Sequence, residues 1–205
     1  MNNILIIISH PDDAELMAGG SMLRWIKQGK NIRVISLTNG SGVHPDGKIR
    51  RKKEDALREF DNVANYMGYS YNVLNQQALR VTFADENVFQ ILQEIEEYNI
   101  DTLIYPHSGD LHYDHEIASR IAISASRRIP NVLMGQINYF LRDFFTPNIF
   151  IDITDTWEDK INALKLYGPW RDDWYEFLDA TSTYYGKIAG VRRAEGFISN
   201  KFLLE

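Results

Sequence analysis

The chain has no cysteine. That removes disulfides, thiolate-held metals and cysteine nucleophiles together. Any metal would have to be held by His, Asp or Glu. Basic residues are in the minority, 22 Lys and Arg against 28 Asp and Glu, for a net charge of −6. This argues against generic binding to nucleic acid or to anionic membranes, which needs a basic face. The apolar run at residues 4–8 is far short of the ~20 residues that span a bilayer. The N-terminus also lacks the charged region, apolar stretch and cleavage site of a signal peptide. No membrane insertion and a cytoplasmic location are expected, and the missing cysteines fit a reducing compartment. No internal repeat, low-complexity tract or linker is visible. A length of 205 residues suits a single α/β domain, residues 1–205, with a substantial core.

Histidine is scarce as well, with five in the chain, and their placement is uneven. The β-branched run at 4–8 reads as a strand buried on both faces. It stops at His10-Pro11-Asp12-Asp13-Ala14-Glu15. Pro11 holds His10 extended and suits the first position of a helix. His10 and Asp13 offer a nitrogen and an oxygen to one metal ion, leaving Asp12 free as a base. The plainer alternative is an ordinary helix start, where carboxylates suit the positive end of the helix dipole.

Strands and helices then alternate. Helices are expected over about 15–27, 51–67, around 88–95, and 115–128, and strands over 32–38, 71–74 and 102–105. Residues 39–48 read as a loop. Later strands are expected at 137–140 and 148–153. A helix capped by Thr154 or Asp155 should run through Ile161 and Leu164, with another over 175–188 and a short strand near Phe197. The pattern predicts an α/β fold with a mostly parallel central sheet covered on both faces.

The second polar knot is Pro106-His107-Ser108-Gly109-Asp110-Leu111-His112-Tyr113-Asp114-His115. It holds three of the five histidines, and only His44 lies outside both knots. On a parallel sheet both knots would meet at one edge, where ligands bind. His115 can complete a His, Asp, His set with His10 and Asp13, and three protein ligands leave an open position for water. His112 can face the same cavity without ligating. Asp114 can fix the tautomer of an imidazole. The alternative is a polar loop that caps the helix after it.

These motifs resemble the LmbE/PIG-L family of metal-dependent de-N-acetylases. The first family motif is matched at His10 to Glu15 and the second at Pro106 to His115. Thr38-Asn39-Gly40, Arg51-x-x-Glu54 and Gly190-Val191-x-x-Ala194-Glu195-x-Phe197 agree with weaker family marks, so the likeness runs along the whole chain. A Ser-Gln pair common in the family is missing after Leu164. The resemblance implies a Rossmann-like three-layer sandwich with its active site at the C-terminal ends of the strands. It implies Zn2+ held by His10, Asp13 and His115, with Asp12 as general base. His112 would stabilise the oxyanion or protonate the leaving amine, supported by Asp114. Arg51, Asp110 and His107 are expected on the substrate side. Imidazole and carboxylate ligands also suit other divalent metals.

The activity implied is removal of an N-acetyl group from a small amino-sugar substrate of N-acetylglucosamine type, releasing acetate and a free amine. The alternatives are hydrolysis of a different small-molecule amide, or a catalytically silent carbohydrate-binding protein. Tyr167, Trp170, Trp174, Tyr175 and Phe177 would stack on a sugar or aglycone, or else form hydrophobic cover or a contact in a homo-oligomer. Phe144 and Phe145 admit the same two readings. The basic run Arg50, Arg51, Lys52, Lys53 would touch a phosphate or else form a solvated helix start, with Arg51 turned inward.

Overall fold

In a computed structural model of the protein, residues 1–43, 46–168 and 172–203 are described. His44 and Trp170 lie outside them. In chain order the elements are β1 (Asn3–Ile8), α1 (Asp13–Lys27), β2 (Asn31–Thr38), β3 (Gly42–Val43), β4 (Ile49–Arg51), α2 (Lys53–Met67), β5 (Ser70–Gln76), α3 (Asp85–Glu97), β6 (Thr102–Pro106) and α4 (Tyr113–Ala125). A 3-10 turn (Ser126–Arg128) leads to β7 (Asn131–Gly135), β8 (Ile149–Asp152), α5 (Trp157–Lys165), α6 (Asp172–Ala189) and β9 (Ala194–Lys201). Among the described residues no helix is long and apolar enough to cross a membrane.

Seven strands form one sheet in the order β5-β2-β1-β6-β7-β9-β8. The five from β5 to β7 are parallel, and β9 and β8 join antiparallel at one side. β1 lies inside the sheet, and Ile4 through Ile8 are fully buried. Side chains alternate across a strand, so β1 feeds two cores. Ile4, Ile6 and Ile8 pack with Met22, Phe60 and Leu164 from α1, α2 and α5. Leu5 and Ile7 pack with Ile91 and Ile121 from α3 and α4. The result is a three-layer α/β sandwich.

The chain moves outward from β1 through β2 to β5, then returns on the other side of β1 as β6. The crevice beyond the carboxyl ends of β1 and β6 is therefore the point where strand order reverses, the usual ligand position in such sheets. The two polar knots follow these two strands.

Three expectations are corrected. Residues 137–140 are not a strand. The strand is Asn131–Gly135, paired with β6 and β9. It ends at Gly135, where a Cβ would lie 2.3 Å from Met17 Cγ. Arg51 does not open α2. It sits on β4, in a small hairpin with β3, and the helix begins at Lys53. Thr156, not Thr154 or Asp155, holds the N-cap position of α5, and its hydroxyl donates to Gly20 O at 2.8 Å rather than capping the helix.

α1 is clamped by a buried ion pair. Lys160 Nζ lies 2.7 Å from Glu195 Oε1 and donates to Leu16 O. Glu195 accepts the amides of Gly20 and Ser21. No side chain fits at Gly20, whose Cβ would meet Ile153 Cγ2 at 2.7 Å. Removing one partner leaves the other charge buried and unpaired, a loss of about 3–5 kcal/mol in comparable pairs. Lys160→Ala is expected to lower unfolding free energy by about that amount in denaturant titration. A change below about 1 kcal/mol, the median worth of a surface pair, would show that the pair does not hold α1.

Candidate active site

β1 ends at Ile8, and the backbone turns at His10, whose carbonyl accepts the amides of Asp12 and Asp13. Asp13 opens α1 and is buried. Its Oδ2 accepts the amides of Ser9 and His10 at 3.1 and 2.8 Å. The same oxygen lies 3.4 Å from His10 Nδ1 and 3.3 Å from His115 Nε2. One carboxylate oxygen thus bridges the knot after β1 and the knot after β6.

Each of these imidazoles has a carboxylate on its far nitrogen. His10 Nε2 bonds Asp114 Oδ2 at 3.0 Å. His115 Nδ1 bonds Asp110 Oδ2 at 2.8 Å. Such pairs set tautomer and ring direction in metal sites. His115 Nε2 is buried with no hydrogen-bond partner among the described residues. An orphaned imidazole nitrogen aimed at a carboxylate, with a second imidazole beside it, suits a divalent cation. His112 is the N-cap of α4, and its Nδ1 accepts the Asp114 amide at 3.2 Å. The ring proton therefore sits on Nε2. His10, His112 and His115 offer nitrogens within 4.8 Å of one another, so distance alone admits His112 as a further ligand.

Electrostatics follow from this crowding. Burial works against the charged forms of His10 and His115, but Asp13 and the carboxylates behind them prevail, raising their pKa values to about 9 and about 10. Burial also opposes ionisation of Asp13, yet His115 and His10 hold it well below the usual carboxylate range. His112 is pushed down by burial and by its two imidazole neighbours. Asp12 is raised to about 7 by burial and by the Asp13 charge, against the pull of His10 and Arg51.

Asp12, Arg50, Arg51, His112, Asn138 and Phe140 are among the walls of a cavity of about 620 Å³ that also exposes His10, Asp13 and His115. A further cavity beneath α6, of about 30 Å³, has room only for water. Arg51 Nη1 lies 3.9 Å from Asp12 Oδ2, and its Nη2 pairs with Glu59.

Three placements differ from expectation. Asp114 does not support His112 with its carboxylate. It holds His10 and accepts the Leu79 amide at 2.7 Å, because α4 turns its first carboxylate back toward β1. Asp110 reaches the cavity wall, but its oxygens are taken by His115, Asn138 Nδ2 at 2.7 Å and the His112 amide. It orients His115. His107 is buried outside the cavity walls, with Nε2 3.4 Å from Asp143 O. Asn138 escaped the sequence reading altogether. Its only signal was a lone amide inside a run taken for a strand. Of the described residues in the aromatic segment 167–177, Trp174 lines the cavity.

Known proteins share this frame. The chain is 26% identical over 229 residues to the diacetylchitobiose deacetylase of Thermococcus kodakarensis, covering 99% of this chain and 85% of that protein. The N,N'-diacetylchitobiose deacetylase of Pyrococcus horikoshii superposes with a TM-score of 0.83 at 20% identity, covering 97% of this chain and 83% of the other. The 4-carboxy-2-hydroxymuconate hydratase GalB of Pseudomonas putida superposes with a TM-score of 0.86 at 18% identity, covering 100% and 98%. At such identities the superpositions speak for the fold alone, and a fold can host several chemistries. The model of the family described as "PIG-L: GlcNAc-PI de-N-acetylase" matches residues 5–126. That span carries both polar knots and more than half the chain, so the chain belongs to the PIG-L family.

Proposed function

We propose that the protein is a metal-dependent de-N-acetylase acting on an N-acetylglucosamine-type sugar or sugar conjugate. One observation carries the reading. The Asp12 carboxyl and the His112 imidazole, whose Nδ1 is occupied by the Asp114 amide, face the same cavity as the converged His10, Asp13 and His115 side chains. Membership of a de-N-acetylase family and the deacetylase relatives support it.

His10 through Nδ1, Asp13 and His115 through Nε2 would hold the ion, and Zn2+ is the reading preferred from family likeness. When bound, such an ion polarises the amide carbonyl and makes water acidic near neutral pH. Asp12 takes the proton of the attacking water. His112, its proton fixed on Nε2, donates to the oxygen that gains charge as the carbonyl becomes tetrahedral. The proton held by Asp12 then passes to the departing amine, and Arg51 limits how far that carboxylate can swing.

Proton linkage gives a quantitative check. Metal binding requires neutral imidazoles, while His10 and His115 hold protons up to about pH 9 and 10 in the metal-free protein. Raising pH removes the competing protons, so zinc affinity is expected to rise with pH through the neutral range. Calorimetry at pH 7 in buffers of differing ionisation enthalpy should register net proton release. No release would mean that the ion is held elsewhere.

The function itself is tested by acetate release from N-acetylglucosamine, N,N'-diacetylchitobiose and aryl N-acetylglucosaminides. Activity should vanish with chelator and return with zinc. A larger acyl fragment released from another amide would favour the amidase alternative. Sugar binding without turnover by zinc-loaded protein would favour the silent one.

A further inference from the structure

We propose that Phe140 and Trp174 form a second, ring-binding subsite that recognises the apolar face of a ring attached directly to the N-acetylated sugar. The inference rests on the deacetylase reading and specifies its substrate as one of at least two rings. Both side chains line the same cavity as His10, Asp12 and His115. A single exposed aromatic residue says little, but Phe140 is 53% exposed within a linked cluster. Tyr139 packs against Phe140 at 4.3 Å, Phe177 at 5.4 Å and Trp174 at 6.1 Å between ring centroids. The Tyr139 hydroxyl also donates to Asp173 Oδ2 at 2.9 Å.

The platform is held in register with the histidines. The Phe140 amide donates to Asn138 Oδ1 at 2.7 Å, and its carbonyl accepts the Leu111 amide at 3.0 Å. The other end of the Asn138 amide donates to Asp110, which bonds His115. One side chain therefore ties the position of Phe140 to the position of His115. At about 620 Å³, the cavity is in the ~300–1,000 Å³ range that encloses drug-sized ligands. It has room beyond one acetamido sugar. One face of a pyranose is largely C–H, and an aryl group is apolar on both faces. Either gains by leaving water against a fixed aromatic surface.

The test compares zinc-loaded wild type, Phe140→Ala, Trp174→Ala and Trp174→Phe on N-acetylglucosamine, N,N'-diacetylchitobiose and phenyl N-acetylglucosaminide. The two alanine variants are expected to raise KM for the two-ring substrates by about 3- to 10-fold, the value of an aromatic contact. Their kcat, and their KM for the single sugar, should stay within about twofold, a change worth less than the weakest aromatic contact. Trp174→Phe should restore most of the loss. An effect confined to diacetylchitobiose identifies a second sugar as the natural ring, and one confined to the phenyl glycoside identifies an aromatic aglycone. Equal KM changes for one- and two-ring substrates, or none, would overturn the subsite. Calorimetry on chelator-treated protein separates the two levels. If no substrate releases acetate, the deacetylase reading fails. The subsite still stands or falls on whether the two-ring ligand binds more tightly and loses that advantage in Phe140→Ala.

Discussion

Asp13→Ala is expected to abolish zinc binding and with it all measurable turnover. One oxygen of this buried carboxylate faces both His10 Nδ1 and His115 Nε2, so its loss would remove one proposed ligand and the charge between the other two. The variant should also be less stable, because the amides of Ser9 and His10 lose their acceptor. Leaving a buried donor unsatisfied costs about 1–3 kcal/mol. Asp13→Asn, which can keep those amide bonds through its side-chain oxygen, separates the two effects. It should lose less stability than Asp13→Ala, because the amides stay paired although the charge facing His10 and His115 is gone, and still fail to hold zinc. Full zinc occupancy in Asp13→Asn, measured by elemental analysis after dialysis, would remove Asp13 from the ligand set. Graded losses are expected one step out. Asp110→Asn and Asp114→Asn should weaken zinc about 10- to 100-fold, the usual cost of losing a carboxylate behind a ligating imidazole.

Asp12→Asn is the second large effect, and it should run the other way in metal content. Zinc should stay bound while kcat falls by about 10²- to 10⁴-fold, the typical contribution of a positioned general base. The side chain keeps its size and loses only the ability to take a proton. Its pH behaviour adds a second reading. Without metal, the Asp12 carboxyl is raised to about 7 by burial and by Asp13. A bound cation would pull it lower, so the acid limb of the rate profile should lie below pH 7 and disappear in Asp12→Asn. Near wild-type turnover in that variant would transfer the base role to another group. His112→Ala makes the matching distinction among the imidazoles. Its three-nitrogen grouping with His10 and His115 would make it a ligand, and then zinc would be lost. If it is the oxyanion donor, zinc stays and kcat falls.

Much of this site was readable along the chain because its parts are consecutive. His10, Asp12 and Asp13 fall within four residues of one another, and Asp110, His112, Asp114 and His115 within six. Each set follows an apolar run that could hardly be anything but a buried strand. Spacing of that kind survives without knowledge of the fold. Strand type, helix faces and the two-sided burial of β1 were likewise legible, since alternation and helical period are local properties. The strand at Asn131–Gly135 was misplaced because its short run, ending in glycine, is no stronger a signal than residues 137–140. Pairing with β6 and β9 chose between them.

The sequence by itself therefore determined the fold class, the two polar knots and the kinds of ligand they offer. Only the tertiary structure decided which groups meet. It set Asp114 on His10 across 104 residues, tied Asn138 to Asp110, moved Arg51 from a helix to a hairpin beside Asp12, and drew Phe140 and Trp174 to one cavity. The reason is that β1 and β6 became neighbours through strand order. Periodicity records which face a residue turns to, and it carries no information about which distant strand will lie beside it.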